Sequence, residues 1–409
     1  MDRLARLIQE LIRAEGPIPF ASFMDMALYH PGLGYYASDR HRIGASGDYY
    51  TSPQAHPVFG ALLALQLERM WQIMGRPPRF HVMEGGAGDG RLARDLLKFS
   101  RRLEPGFAEA IYYVAVDVKP LRTGDAALPR NGGQARSRPE RPAPALHAVA
   151  SRTIPFRGLQ GCILSNELLD AFPVHRLVVR GGRLKEVYVD VRSDTFEEVL
   201  GELSPPVENL LEFGDEMPAE GSRIEICPSA WLWMLEAGRA LDAGFVLTID
   251  YGYGEAPGED TLASYRRHSV SSPYHNVGEQ DLTAHVDFGA CMEAGRRSGL
   301  RAIALVSQRR FLLRLGLGDF REAAARRRLP QKEHEANQMA MLDLVRPEGL
   351  GTFGVMVQCK GFPGLRLGNL VPERPVRERL ASGELPVPLL GPEHMPLLEG
   401  RYPELAWEP

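Results

Sequence analysis

The segment Glu84-Gly85-Gly86-Ala87-Gly88-Asp89-Gly90 sets Gly86, Gly88 and Gly90 at alternate positions behind an acid, directly after one apolar run and directly before a helical one. Glycines permit positive φ and a close approach of backbone to a ligand. A strand–glycine loop–helix unit places a nucleotide-like ligand at the carboxyl end of the strand. A dinucleotide fold asks for G-x-G-x-x-G, and Arg91 stands where its last glycine belongs after Gly86 and Gly88. The spacing found, acid-x-G-x-G-x-G, suits an uncharged adenosine–methionine passing over the loop better than a cradled pyrophosphate. S-adenosylmethionine carries an ammonium and a sulfonium, so Glu84 is expected to face the cationic end of such a ligand. A second acid, Asp117, closes the run Val114-Ala115-Val116 and is expected to accept hydrogen bonds from both ribose hydroxyls. If the glycines formed a mere turn, Asp117 would be a surface acid.

The elements that must position these groups are legible as apolar runs. Candidate strands are Phe80–Met83, Ile111–Val116, Gly161–Leu164, Gly244–Ile249, Ala302–Val306 and Phe353–Gln358, with helical pieces at Arg91–Arg102, Leu168–Ala171, Ser229–Asp242 and Phe288–Ser298. Apolar strands alternating with helices indicate a mainly parallel sheet covered on both faces. Leu4, Leu7, Ile8, Leu11 and Ile12 mark an amphipathic first helix, and a further helix runs from about Val58 to Met74. Gly16 to Pro57 reads as loop, Arg122 to Pro144 as a mobile surface loop, and Leu184–Val189 with Ser222–Ile226 as strands of an inserted hairpin or small sheet. The domain expectation is a helical and loop-rich lobe at 1–75, a catalytic domain at 76–360 with an insertion about 180–228, and a Pro-rich tail at 361–409.

Composition narrows the class. A chain of 409 residues, 44% hydrophobic, 24% charged and with net charge −4, has a real core and no nucleic-acid surface. Cys162, Cys227, Cys291 and Cys359 are too far apart for a zinc site or a disulfide framework, so no metal is expected and the compartment should be reducing. The charged first helix is no secretory signal, and no apolar run approaches the ~20 residues of a membrane span. A cytoplasmic protein without membrane insertion is the expectation.

Several motifs in order resemble the MidA-like family. They are Gly47-Asp48-Tyr49-Tyr50-Thr51-Ser52-Pro53 with Phe59-Gly60, the glycine loop, Ser165-Asn166-Glu167-Leu168-Leu169-Asp170-Ala171-Phe172-Pro173, Ile249-Asp250-Tyr251-Gly252, and Asp281 to Phe288. Departures are Gln54 and Ala61 in place of acids, and Ala87 in place of a proline. The resemblance implies a class I methyltransferase fold, α/β, with a seven-stranded sheet ordered 3-2-1-4-5-7-6. It implies S-adenosylmethionine as cofactor, with Thr51, Ser52 and Pro53 near it. The implied acceptor is an arginine on a protein, a respiratory-complex subunit being one option, and a homodimer is left open.

A guanidinium, with a pKa of about 13.8, is not nucleophilic while cationic. Carboxylates gripping it bidentately can orient one nitrogen. Glu167 and Asp170, three apart, would share a face if a helical turn begins there; they are assigned to the acceptor guanidinium, and Asn166 to the methionine end or the acceptor. The competing reading makes Ser165 or Asn166 a helix cap with the acids favouring its N-terminus. His285, with Asp287, could stand over the acceptor, or the two could form a solvated strand face. Trp231 and Trp233 read as core; Tyr29, His30, Tyr35, Tyr36, Tyr49 and Tyr50 read as a lid or acceptor-peptide groove, or equally as local packing. Two other functions stay open: methylation of a small oxygen or nitrogen acceptor, and a non-catalytic cofactor-binding assembly factor.

Overall fold

The computed structural model describes residues 3–37, 51–119, 121, 145–210, 218–254, 260–266, 269–391 and 394. The expected loop Arg122–Pro144 and the residues Gly47–Tyr50 of the N-terminal motif lie outside them. Seven strands form the central sheet: β1 (Phe80–Gly85), β2 (Ile111–Asp117), β3 (Ala145–Ala150), β4 (Leu159–Asn166), β5 (Leu241–Asp250), β6 (Arg301–Ser307) and β7 (Gly354–Lys360). Their order is β3-β2-β1-β4-β5-β7-β6, with β7 antiparallel to both neighbours and the remaining pairs parallel. This is the order 3-2-1-4-5-7-6.

The register decides where chemistry can occur. Gly85 pairs with Val116 and Ser165, and Ser165 with Thr248, so Glu84, Asp117, Asn166 and Asp250 emerge along one sheet edge. Close approach of the strands in the middle of the sheet depends on glycine: a Cβ on Gly161 (φ +152°) would lie 2.0 Å from the His81 carbonyl oxygen.

Helices cover both faces. On one, α4 (Val58–Ile73) and α5 (Arg91–Ser100) bury Phe59, Leu62 and Leu96 against Phe80, Val82 and Phe245. On the other, α6 (Pro228–Ala240) and α7 (Phe288–Arg297) bury Trp233, Met234 and Phe288 against Met83 and Ile163. Each such side chain contributes about 1.5–3 kcal/mol on full burial. Cys162, Cys291 and Cys359 are buried within these layers.

The N-terminal lobe holds α1 (Arg3–Glu15), α2 (Phe20–Tyr29) and the short α3 (Ser52–Ala55). Helix α2 corrects the loop reading of Gly16–Pro57. Pro19 precedes it, and Phe20, Phe23, Met24, Ala27 and Leu28 form a buried stripe at helical spacing. The insertion between β4 and β5 is a small antiparallel sheet of Arg183–Arg192, His175–Arg180, Thr195–Gly201 and Arg223–Ile226, joined by Ile18–Pro19 of the lobe. Helices Gln308–Arg314, Leu317–Ala325 and Gln331–Asp343 fill the crossover from β6 to β7. Up to residue 391 the C-terminal segment packs on the body, and its helix Val376–Ala381 carries Arg379 into a buried ion pair with Glu68 at 2.8 Å. Among the described residues no helix is long and apolar enough to cross a membrane.

Candidate active site

A cavity of about 660 Å³ opens at the sheet edge, lined from β1, β2 and β4 below, α6 on one side and the N-terminal lobe above. Ligand clefts span roughly 300–1,000 Å³. Its floor is the glycine loop. Gly86, Gly88 and Gly90 have φ of +70°, +54° and +75°. A Cβ at Gly86 would lie 2.9 Å from Leu168 Cδ1, and one at Gly90 2.9 Å from Leu121 Cδ1.

Four backbone donors of this loop are already spent. The N–H groups of Gly86 and Ala87 donate to Val116 O, that of Gly90 to Ala87 O, and that of Gly88 to the Asp117 carboxylate at 2.9 Å. A pyrophosphate would find no free row of donors here. It would also meet six acids in the lining, Asp25, Glu84, Asp89, Asp117, Glu167 and Glu236, against Arg91, Lys119 and Arg152. Two of those cations already face acids, Arg91 with Asp89 and Arg152 with Asp25. The cavity therefore disfavours a phosphate group.

Glu84 sits at the floor, 3% exposed, with one carboxyl oxygen accepting from Tyr113 Oη–H at 2.8 Å. Burial pushes its pKa up to about 8, against the opposing hydrogen bond from Tyr113. Asp117 is raised by burial and held down by the N–H groups of Gly88 and Lys119. Asn166 and Glu167 form the wall across from the glycine loop, next to Thr51, Pro53 and Gln54. Glu167 Oε1 accepts from the Ser52 N–H at 3.2 Å and from Asn166 Nδ2 at 2.9 Å, and no described residue bonds to its Oε2. Burial pushes Glu167 up to about 8 as well. Ser52 itself is fully buried, so it supports the wall from behind.

Three expectations are corrected. No helix forms at Leu168–Ala171, because Asp250 captures the N–H groups of Leu168 (3.1 Å) and Leu169 (2.9 Å) and Glu167 adopts φ +52°. Glu167 and Asp170 therefore do not share a helical face, and Ser165 and Asn166 cap nothing. Asp170 is 5% exposed and lies behind the wall, where burial and the nearby Asp250 and Asp281 raise its pKa well above the usual carboxylate range. His285 does not line the cavity. Its exposed ring stacks on Tyr251 with centroids 6.5 Å apart, while Asp287 caps α7 by accepting from the Ala290 N–H at 2.9 Å.

Trp233, read as core, and Tyr29, Tyr35 and Tyr36, read as a lid or groove, join the site. Trp233 is buried as expected, yet its ring forms part of the cavity wall against Gly85. Tyr29 and Tyr36 stack with centroids 5.5 Å apart at the rim; Tyr29 Oη donates to Ala171 O and Tyr36 Oη to Asp281. Asp250 was the readable omission, since it ends an apolar strand just as Asp117 does. Of the departures, Gln54 still accepts from the Thr51 N–H at 3.3 Å, and Ala61 lies 1% exposed in the core, away from the cavity.

The sheet order, the acid-flanked glycine loop at the edge of β1 and the anionic cavity above it define a class I S-adenosylmethionine-dependent methyltransferase. The sequence model of a family of S-adenosyl-L-methionine-dependent methyltransferases matches residues 62–306. A mitochondrial protein arginine methyltransferase NDUFAF7 homolog of Drosophila melanogaster is 32% identical over 335 residues, covering 76% of this chain and 74% of the relative. The human protein arginine methyltransferase NDUFAF7 is 27% identical over 339 residues, covering 77% and 73%. A crystal structure from Burkholderia thailandensis bound to S-adenosyl-homocysteine superposes with a TM-score of 0.73 at 26% identity, covering 90% of this chain and 94% of that one. The chain belongs to the MidA-like family of S-adenosylmethionine-dependent methyltransferases. Gly86, Ala87 and Gly88 of the glycine loop, with Glu84, Asp117 and Asn166, all line this cavity.

Proposed function

We infer that the acceptor is an arginine of a protein substrate. The observation that carries this is Glu167: an acid in the cavity wall, with Oε1 fixed by Ser52 and Asn166 and Oε2 unengaged by any described residue. The cofactor supplies a methyl group on a sulfonium. An arginine entering from the tyrosine rim meets the free oxygen of Glu167 and the negative field of the acids behind it. In the ligand-free cavity burial keeps Glu167 protonated near neutral pH, and a sulfonium and a guanidinium beside it favour its ionised form. As the nitrogen–methyl bond forms, the sulfur–methyl bond breaks, its electron pair stays on the sulfur of the departing S-adenosylhomocysteine, and the ionised Glu167 takes the proton that the attacked nitrogen gives up. The names of the mitochondrial relatives support an arginine acceptor, and within this reading a respiratory-complex subunit is the first substrate to try.

The test is incubation of the protein with S-adenosylmethionine carrying a deuterated methyl and a library of arginine-containing peptides, read by mass spectrometry. Label on arginine with the wild type, lost with Glu167→Gln while S-adenosylhomocysteine binding persists, supports the reading. Label on a small oxygen or nitrogen compound and never on arginine overturns it.

A further inference from the structure

Residues 308–332 contain eight Lys and Arg against only Asp319 and Glu322. That gives the segment a net charge of +6 in a chain of −4, so the remaining residues carry −10. All eight basic residues are exposed. They occupy the solvent sides of Gln308–Arg314 and Leu317–Ala325 and the stretch that follows, the other sides being buried through Phe311, Leu312, Leu317 and Phe320. Arg310, Arg314, Arg327 and Arg328 have no side-chain partner among the described residues, and Leu313, between the first two, is 44% exposed. Like charges gathered this way repel unless something anionic covers them.

The location is specific. Gln308, the first residue of the basic helix, is fully buried and its Oε1 accepts from Ser52 Oγ at 3.2 Å; the Ser52 N–H in turn holds Glu167. Asn337, in the helix Gln331–Asp343, bonds His56 at 3.1 Å, beside the same wall. The basic helices thus begin where the acceptor wall ends.

We propose that this basic face docks an acidic segment of the protein substrate beside the arginine that enters the cavity. The proposal rests on the protein-arginine reading and names the kind of sequence that reading requires. Moving outward from the site, the field changes sign, from an acid-lined cavity to an arginine-lined shoulder. A peptide with one arginine among acids complements both halves. A membrane surface or a nucleic acid complements only the outer one.

The experiment measures fluorescence anisotropy of a labelled peptide with a single arginine flanked by glutamates, beside its glutamine counterpart, at low and high salt. The proteins are the wild type and Arg310→Glu/Arg314→Glu, with Arg327→Glu/Arg328→Glu as a second variant should the first fail to fold. The expected result is binding of the glutamate peptide by the wild type, weakened about tenfold or more by charge reversal and by salt, with S-adenosylhomocysteine affinity unchanged. In methylation assays the variants should raise KM for the acidic peptide and leave kcat nearly alone. Equal binding of both peptides overturns the proposal, even if arginine is methylated. So does stronger, patch-dependent binding of polyadenylate or phosphatidylglycerol vesicles than of the acidic peptide. Charge-dependent binding without methylation would retain the docking face and sink the arginine acceptor instead.

Discussion

Ser52 and Glu167 are joined across two parts of the fold by a backbone N–H to carboxylate bond of 3.2 Å. Ser52 opens α3 of the N-terminal lobe, and Glu167 follows β4 of the sheet, so this wall of the cavity exists only where the two meet. This bond engages Oε1, and no described residue bonds to Oε2. The geometry also requires an uncommon backbone.

Glu167 lies at φ +52°, the left-handed region, which costs an L-residue about 1–2 kcal/mol. Glu167→Gly and Glu167→Ala lose the same carboxylate bonds, so their difference isolates the strain. Urea denaturation should find the glycine variant more stable than the alanine variant by about 1 kcal/mol. An alanine variant equal to it or more stable would show that the turn relaxes without left-handed backbone.

Glu84 makes stability depend on pH with a definite sign. Its folded pKa, about 8, lies above the ordinary 4.5, so between those values the native state holds a proton that the unfolded chain has lost. Stability from this group is therefore present at low pH and declines as pH rises through that window. Glu167 (about 8) and Asp250 (about 7) act in the same direction. The ligand-free protein should melt lower at pH 8.5 than at pH 5.5, and Glu84→Gln should shrink that difference. In the opposite direction, wild-type affinity for the sulfonium cofactor should strengthen as Glu84 ionises, and the variant's pH profile should be flatter. A melting temperature that rises between pH 5.5 and 8.5 would contradict the burial of these acids.

Six of the seven sheet strands could be read from sequence because they are apolar runs with distinct ends. The third, Ala145–Ala150, is an edge strand pairing only β2, and His147 and Ala148 are exposed, so no apolar run marks it. The glycine loop, Asp117 and Glu167 were legible as motifs, since strand-end acids and glycines carry local signals. The turn after Glu167 was not. Its shape comes from Asp250, 83 residues later in sequence, capturing two N–H groups, and a helix-compatible Leu-Leu-Asp-Ala says nothing of that contact. His285 sits within a matching motif, yet its ring turns outward to Tyr251, a choice fixed by tertiary packing.

Asp117 lines the cavity and also shapes the glycine loop. Its carboxylate accepts from the Gly88 N–H at 2.9 Å and the Lys119 N–H at 3.3 Å. Asp117→Asn can keep one of these bonds but presents an amide donor where an acceptor is needed. Cofactor affinity in calorimetry should fall by about tenfold or more, the scale of one charge-assisted hydrogen bond, while fold and melting change little. Unchanged affinity would remove Asp117 from the cofactor site.

The C-terminal segment is tied down by charge as much as by apolar contact. Arg379 reaches Glu68 of α4 at 2.8 Å, with side chains 7% and 4% exposed, and Glu68 also accepts from the Glu104 N–H at 2.6 Å. Removing one partner of a buried pair leaves a charge without compensation and typically costs about 3–5 kcal/mol. Arg379→Met should therefore lower stability in urea by that order. Adding Glu68→Gln should recover more than half of the loss, because the amide oxygen can still accept from Glu104 while the stranded charge is gone. Cofactor affinity should stay at the wild-type value in both variants, since neither residue lines the cavity. A single-variant loss below about 1 kcal/mol would instead match a solvent-screened surface pair and would mean that the segment beyond β7 does not hold Arg379 against α4.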